Sequence, residues 1–536
     1  MLNVNPRLSR SLQPNGQNTQ GFGVPACVEG ILANAPVYGG QGNLSEAIYL
    51  YNMIPGQYGL RVRKGSQDHA TNILDASAAA GDVRTILDYV APDGTTKKFA
   101  ATSEGIYDIT TAGTGTWTKV YDFTTENADT GYCKYVQYTT TGGTHYLLVT
   151  DESNGYITYD GTTWAAGSTT GVTAGNLVDI TEYRGRICFV EKGTGNVWYL
   201  GLLSISGTAT QFEMGTRMAH GGEIKQITTW TFDDGAWLDD RLLVLSEGGD
   251  LLVWQGDLDL NPTMQGRWYV GNLPKGRRAM SEWGGDVALI TAKGVHLAST
   301  LVQGASAIND QSALTNRIDR YFRDQMAVSR NSYGWSAVLH PADGIAVFTV
   351  PHPTSSDPIQ FVLDTTVNRW CMFRGLDMLC AADGPDGLYF GTSDGRVVKY
   401  TGTADAVDTT GGNATPIEFS ILTHYSDMGN SGKWKRMQFI RPLWLGDATP
   451  AYGVQARYDY DLAEATGLGT FVPGTIGAWD SGIWDASTWG GLAQSFLVLS
   501  GLNGMGRHVA IAVKGESSQT LNLVGFDLML DGGGML

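Results

Sequence analysis

The chain has 536 residues, 42% of them hydrophobic and 10% aromatic, with 71 glycines and a formal net charge of −17. That apolar content excludes global disorder, and the acidity excludes tight general binding to nucleic-acid phosphates, which calls for a basic footprint. The five cysteines are odd in number and dispersed, with no C-x-x-C pair, and read as reduced, packed thiols rather than a disulfide or zinc framework.

Residues 1–45 mix Asn, Gln, Gly and Pro with short apolar pieces and predict an extended arm. The first residues carry no apolar core of signal-peptide type, and no run approaches the ~18 apolar residues of a membrane helix. The expectation is a chain that is neither Sec-exported nor membrane-spanning. Residues 46–402 read as a β-rich body. It opens with a strand from Ile48, a Pro55-Gly56 turn and a second strand to Lys64.

A strand–turn–strand unit then recurs, with turns near positions 103, 154, 193, 248, 293, 354 and 393. Its clearest copy is Asp386 to Gly402, where Leu388-Tyr389-Phe390 and Val397-Val398 flank Thr-Ser-Asp-Gly. Asp-Gly supplies the positive φ a tight hairpin needs, so Asp394 is a turn residue and not a catalytic carboxylate. The mean interval is about 48 residues, in the range of a four-stranded propeller blade. The expected fold is therefore an all-β propeller of about seven blades. Six or eight blades fit the same spacing, and a long β-sandwich or β-helix is the competing architecture.

One segment breaks the pattern. Across 311–327, Leu314, Ile318, Phe322 and Met326 recur every four residues, while Arg317, Arg320 and Arg323 lie on other faces. This predicts an inserted amphipathic helix, covering either its own propeller rim or a partner subunit. Residues 403–415 read as a linker by composition. Residues 416–536 read as a C-terminal antiparallel β domain, with alternation at Tyr452, Val454, Ala456 and Tyr458.

Catalytic signatures are missing. There is no G-x-S-x-G, Walker A, H-E-x-x-H or EF-hand loop, and no histidine pair at metal-ligand spacing, so neither catalysis nor a cofactor is expected. Thr158-Tyr159-Asp160-Gly161-Thr162-Thr163-Trp164 resembles the Asp box of sialidases and other propeller glycosidases, but lacks the residue between Asp and Gly. Trp479, Trp484 and Trp489 stand at five-residue steps among Asp, Ser and Gly; they either pin a loop inward or present indoles to sugar or a partner. The few basic clusters are Arg61/Arg63/Lys64, Lys275/Arg277/Arg278 and Lys433/Lys435/Arg436, each ordinarily a solvated face; the candidate partner contacts are the last two of these, Arg317/Arg320/Arg323 and Trp484.

Several segments, in order, are similar to one family. They are Tyr51 to Thr71 (with Ile54-Pro55-Gly56-Gln57-Tyr58), Tyr159 to Trp164, Val190 to Leu200, Leu388 to Gly391, and Trp479 to Asp485 with Trp489-Gly490-Gly491. Their texture and order resemble the tail nozzle, or packaged-DNA-stabilisation, proteins of short-tailed phages. That resemblance implies a virion protein assembled in the host cytoplasm, six copies of which ring the tail axis below the portal and adaptor. The ring would continue the DNA channel, hold the genome until ejection, and contact tail fibres or a tail needle. It would pass viral DNA without sequence-specific binding. The alternative class is a carbohydrate-binding or glycan-cleaving tailspike-like propeller.

Overall fold

The computed structural model describes residues 19–33, 43–74, 81–233, 238–260, 262–303, 312–352, 357–446, 450–466, 494–497 and 500–535. It divides into a ring unit, residues 68–360 with 375–400, and a terminal unit, residues 1–67 with 361–374 and 401–536.

The ring unit is a succession of antiparallel meanders. The first sheet holds Thr85–Val90, Thr96–Ala101, Gly105–Asp108 and Thr118–Asp122. The second holds Lys134–Thr139, His145–Asp151, Gly155–Tyr159 and Trp164–Ala166. Leu177–Tyr183, Arg186–Glu191, Asn196–Tyr199 and Thr210–Glu213 form the third, and Ile224–Asp233, Leu238–Ser246, Asp250–Gln255 and Thr263–Tyr269 the fourth. The fifth has three strands, Met280–Trp283, Asp286–Thr291 and Gly294–Leu297. A sixth begins with Ser336–His340 and Ile345–Thr349. The seventh holds Cys380–Gly384, Gly387–Gly391 and Val397–Tyr400, and takes its next strand from residues 68–71. Arg396 fastens that strand by an ion pair to Asp68 at 3.1 Å.

The leading strand of each sheet packs on the leading strand of the next, and Cys380–Gly384 packs on Thr85–Val90. The arrangement is β-propeller-like. Side-chain alternation explains it, because successive residues of a strand point to opposite faces. In the fourth sheet Leu242, Val244 and Leu252 join a core with Cys188, Val190 and Val197 of the third. Their neighbours Leu243, Leu245, Leu251 and Val253 join a core with Met280, Val287 and Leu289 of the fifth. The first sheet does the same, with Leu87 and Phe99 facing the second sheet and Ile86 and Ala100 facing the seventh. Each sheet is thus apolar on both faces, which only a neighbour on each side can satisfy.

Leu314–Ile318 is a 3₁₀ turn leading into the helix Asp319–Ser329. Gln311, where the sequence pattern began, lies outside the described residues. Ile318, Phe322 and Met326 are buried. The helix packs on the outer strand of the fifth sheet, Gly294–Leu297. Phe322 also meets Trp335, ring to ring at 5.7 Å.

In the terminal unit, the long strands Lys433–Gly446 and Leu521–Met535 pair antiparallel. Thr19–Pro25 and Gly59–Val62 also pair with Leu521–Met535. A second sheet orders Ala47–Tyr51, Ile417–Thr423, Val509–Ser517 and Ala451–Tyr458. Trp444 is fully buried, 5.5 Å from the rings of both Phe419 and Tyr452.

The observed division differs from the sequence reading in three places. Residues 46–67, grouped above with the propeller, belong to the terminal unit, because their strands pair with Ile417–Thr423 and Leu521–Met535. Residues 361–374 belong there too, Tyr51 pairing with Met372. Part of the arm, Thr19–Pro25, is a sheet strand.

Candidate axial clefts

Lys275, Arg277 and Arg278 precede the leading strand of the fifth sheet. Arg277 is only 9% exposed. Its Nε donates to Glu152, one terminal nitrogen donates to the carbonyls of Ile224 and Lys225 (both 2.8 Å), and the other to Glu152 (3.2 Å) and Glu223 (3.1 Å). All five donors of the guanidinium are spent inside the unit. Glu152 lies in a turn of the second sheet and Glu223 just before the fourth, so one side chain ties three sheets. Read in sequence as a docking point for a charged partner, Arg277 is an internal cross-tie.

Arg278 reaches the first and second sheets. It donates to the carbonyls of Arg84 (3.1 Å) and Cys133 (2.8 Å) and to the Thr85 hydroxyl. Tyr132, ahead of the second sheet, stacks on Tyr333, ahead of the sixth, with centroids 4.9 Å apart and planes at 20°. These sheets are not neighbours, so the stack spans the ring. The Arg84 guanidinium lies 5.4 Å from the Tyr132 centroid and the Lys275 ammonium 4.4 Å from that of Tyr333. Burial pushes both phenols above their ordinary pKa.

These residues line two clefts. Asp82, Tyr132, Lys275, Tyr333 and Leu379 line one, of about 700 Å³. Residues a few positions on, Thr85, Cys133, Arg277, Ser336 and Cys380, line the other, of about 500 Å³. Lys134 also lines the smaller cleft, its ammonium 3.3 Å from the fully buried Asp179 and donating to the Ile227 carbonyl at 2.5 Å. Burial raises the Asp179 carboxyl pKa, an effect Lys134 partly offsets. Both volumes suit small molecules.

In the larger cleft His352 Nε2 bonds Asp377 at 2.9 Å, and the same carboxylate accepts the Ser393 amide (2.9 Å) and hydroxyl (2.6 Å). Burial lowers the imidazole pKa, but the bonds to Asp377 and the Val350 carbonyl outweigh it and leave the pKa raised. A raised folded pKa stabilises fully below the unfolded value of about 6.5, and the contribution fades as pH rises through the folded value. The loss of stability on His352→Gln is therefore expected to be larger at pH 5.5 than at pH 8.5 in urea melts; equal losses would refute the pairing.

The other selected residues scatter. Lys435 is 5% exposed, and its ammonium donates to the carbonyls of Asn430 (2.6 Å), Lys433 (3.1 Å) and Arg507 (2.7 Å). Burial lowers its pKa. Lys433 is half-buried and Arg436 exposed on the same strand. Arg323 pairs with Asp319 at 2.7 Å one helical turn away; Arg317 is half-buried and Arg320 exposed. Trp484, with Trp479 and Trp489, lies outside the described residues. The five cysteines are buried free thiols. Among the described residues no cluster of three or more His, Cys, Asp or Glu could hold a metal, and no helix is long and apolar enough to cross a membrane.

The Asp-box-like turn has a structural use. Asp160 accepts the amides of Thr162 (2.8 Å) and Thr163 (2.7 Å) and both their hydroxyls (2.7 and 2.9 Å). Those bonds, the Thr163 amide first, hold its carboxyl pKa well below the usual range. Trp164 then packs on Tyr159 and Phe99. Asp160→Ala is expected to cost about 1–2 kcal/mol in a chemical melt, since four bonds are lost at an exposed turn; an unchanged midpoint would refute that role.

Tyr132, Tyr333, Ser336, Lys134 and Glu152 were not selected from the sequence. They carry no shared motif, and their only signal is position: all but Glu152 lie at or just before the start of a leading strand.

No protein-family model and no curated protein sequence matches the chain. Among solved structures it is similar to a chain of the mitotic checkpoint complex, at 14% identity over 63% of this chain and 94% of that one, with a TM-score of 0.37. It is also similar to the extracellular domain of the putative one component system BT4673 from B. thetaiotaomicron, at 10% identity over 73% and 56%, TM-score 0.40. The computationally designed Ika8 protein follows at 11% identity over 62% and 99%, TM-score 0.35. At these TM-scores the likenesses carry no argument about this chain.

Proposed function

We propose that the chain is a structural virion protein, the tail-nozzle subunit of a short-tailed phage, with its ring unit a seven-bladed propeller bearing a helical insertion. Six copies surround the tail axis below the portal and adaptor, continue the DNA channel and help retain the genome until ejection. The observation that carries the reading is the ordered likeness of segments from Tyr51 to Gly491, several of which fall where the fold depends on them. Asn52 and Arg63 anchor the terminal unit, Asp160 and Trp164 shape a turn, and Leu388 to Gly391 is a central strand. The net charge of −17 supports it as well, because an acidic wall releases no counterions from DNA and lets it slide. Native mass spectrometry of the full chain, alone and with the adaptor ring, tests it. Six copies on the adaptor are expected; a stable monomer that never joins the adaptor would overturn the proposal.

A further inference from the structure

Asn15, Asn154 and Asn503 are each followed by glycine, and the first lies outside the described residues. An Asn–Gly pair is open to chemical change because glycine has no Cβ to shield its amide nitrogen from the asparagine side chain. The fold holds the two described pairs in opposite ways. Asn154 is locked: its Oδ1 accepts the amides of Thr124 and Thr125 (both 2.9 Å) and the Thr124 hydroxyl (3.2 Å). Its Nδ2 donates to the Thr125 carbonyl (3.0 Å) and to Asp151 (2.9 Å). Gly155 is buried and pairs in register with Asp151.

Asn503 and Gly504 are exposed, and among the described residues neither the Asn503 carboxamide nor the Gly504 amide has a hydrogen-bond partner. Their loop is tied only at its ends. The Leu502 amide donates to the Gln438 carbonyl (2.9 Å), and Gly506 exchanges amide and carbonyl with Lys435 (3.0 and 2.8 Å). Gly504 sits at φ +110°, and a Cβ there would stand 2.5 Å from the Tyr458 ring, so the loop needs its glycine. We infer that Asn503 is a site of spontaneous deamidation and isoaspartate formation. The Gly504 nitrogen, its proton lost to solvent base, attacks Asn503 Cγ. The N–Cγ bond forms, the Cγ–Nδ2 bond breaks, and Nδ2 leaves as ammonia with a proton taken from water. Water then opens the succinimide at either carbonyl, giving aspartate by one route and isoaspartate by the other. Both products add a negative charge, and isoaspartate also adds a methylene to a backbone pinned on either side to Lys433–Gly446. At Asn154 the same attack must break five side-chain bonds and unpair Gly155, so it waits on local unfolding. None of this rests on the tail reading.

Peptide mapping by mass spectrometry of the full chain, incubated at pH 8 and 37 °C, tests it, with electron-transfer fragmentation separating isoaspartate from aspartate. Asn503 is expected to convert at least about tenfold faster than Asn154, giving both products, since only Asn154 needs a local opening. In guanidinium chloride the two pairs should convert at similar rates, because the protection belongs to the fold. Asn503→Gln, a change at an exposed position that should fold normally, should abolish the mass gain in its peptide and leave the Asn154 peptide as it was. An intact Asn503 in the folded chain beside conversion in denaturant would overturn the assignment. So would equal rates at the two sites in the folded chain, a gap that persists in denaturant, or aspartate formed without isoaspartate.

Discussion

Arg277→Ala is expected to destabilise the ring unit by about 3–5 kcal/mol, the cost of removing one partner from a buried charge network. Truncation leaves the Glu152 carboxylate, whose side chain is only 13% exposed, with only the half-exposed Lys192 ammonium at 3.8 Å, and takes the Arg277 donor from the carbonyls of Ile224 and Lys225. Arg277→Lys should recover part of the loss, since an ammonium offers three donors from one point where this position uses five from a planar fork. A double-mutant cycle with Glu152→Ala isolates the pair, and a coupling above about 1.5 kcal/mol is expected for charges this close and this sheltered. The effect should survive 0.5 M salt, which screens exposed pairs but not buried ones. A loss below about 1 kcal/mol, typical of surface ion pairs, would mean that the three sheets are held without this cross-tie.

Much of the ring unit is legible in the sequence because its signals are local. Turn residues such as Asp394-Gly395 fix where each hairpin reverses, and two-sided apolar strands such as Leu242 to Leu245 mark sheets packed on both faces. Ring neighbours and unit membership are not local. The pattern at Phe361 to Phe373 says strand, but its assignment to the terminal unit depends on pairing with Tyr51, more than 300 residues away. The helix was visible in the spacing of Ile318, Phe322 and Met326. Its first turn is instead 3₁₀, and the α-helix proper starts at Asp319, where a carboxylate complements the amide end of the macrodipole. The basic clusters misled for a different reason. Three cations within four residues look like a solvated patch, and nothing in Lys275 to Arg278 announces that Glu152 and Glu223 wait inside. The residues lining the clefts were illegible because many separate segments each contribute only a few of them.

The terminal unit yields the second large effect. Arg63, with a side chain only 1% exposed, donates through Nε to Asn52 Oδ1 (2.9 Å) and through its terminal nitrogens to the Lys64 carbonyl (2.9 Å) and both oxygens of Asp405 (2.8 and 2.6 Å). Asn52, at φ +60°, in turn donates to the carbonyls of Arg374 (3.0 Å) and Glu418 (2.8 Å) and accepts the Arg374 amide (2.9 Å). One closed network thus joins residues near 50, 370 and 410, the three stretches that make up this unit. Asp405 falls in the stretch whose composition reads as a linker, yet a bidentate pair and the Ser66 hydroxyl at 3.1 Å hold it. Arg63→Ala is expected to cost about 3–5 kcal/mol, because Asp405 loses its charged, bidentate partner in a sheltered site and keeps only the Ser66 hydroxyl, while the Asn52 oxygen keeps only the Arg374 amide. Asp405→Ala should cost nearly as much, leaving the guanidinium unpaired. Hydrogen exchange separates the units: amides of Ile417–Thr423 and Arg369–Arg374 should lose protection in both variants, while those of the fourth ring sheet keep theirs. A free linker predicts something different, a cost for Asp405→Ala within about 0.5 kcal/mol and unchanged exchange throughout.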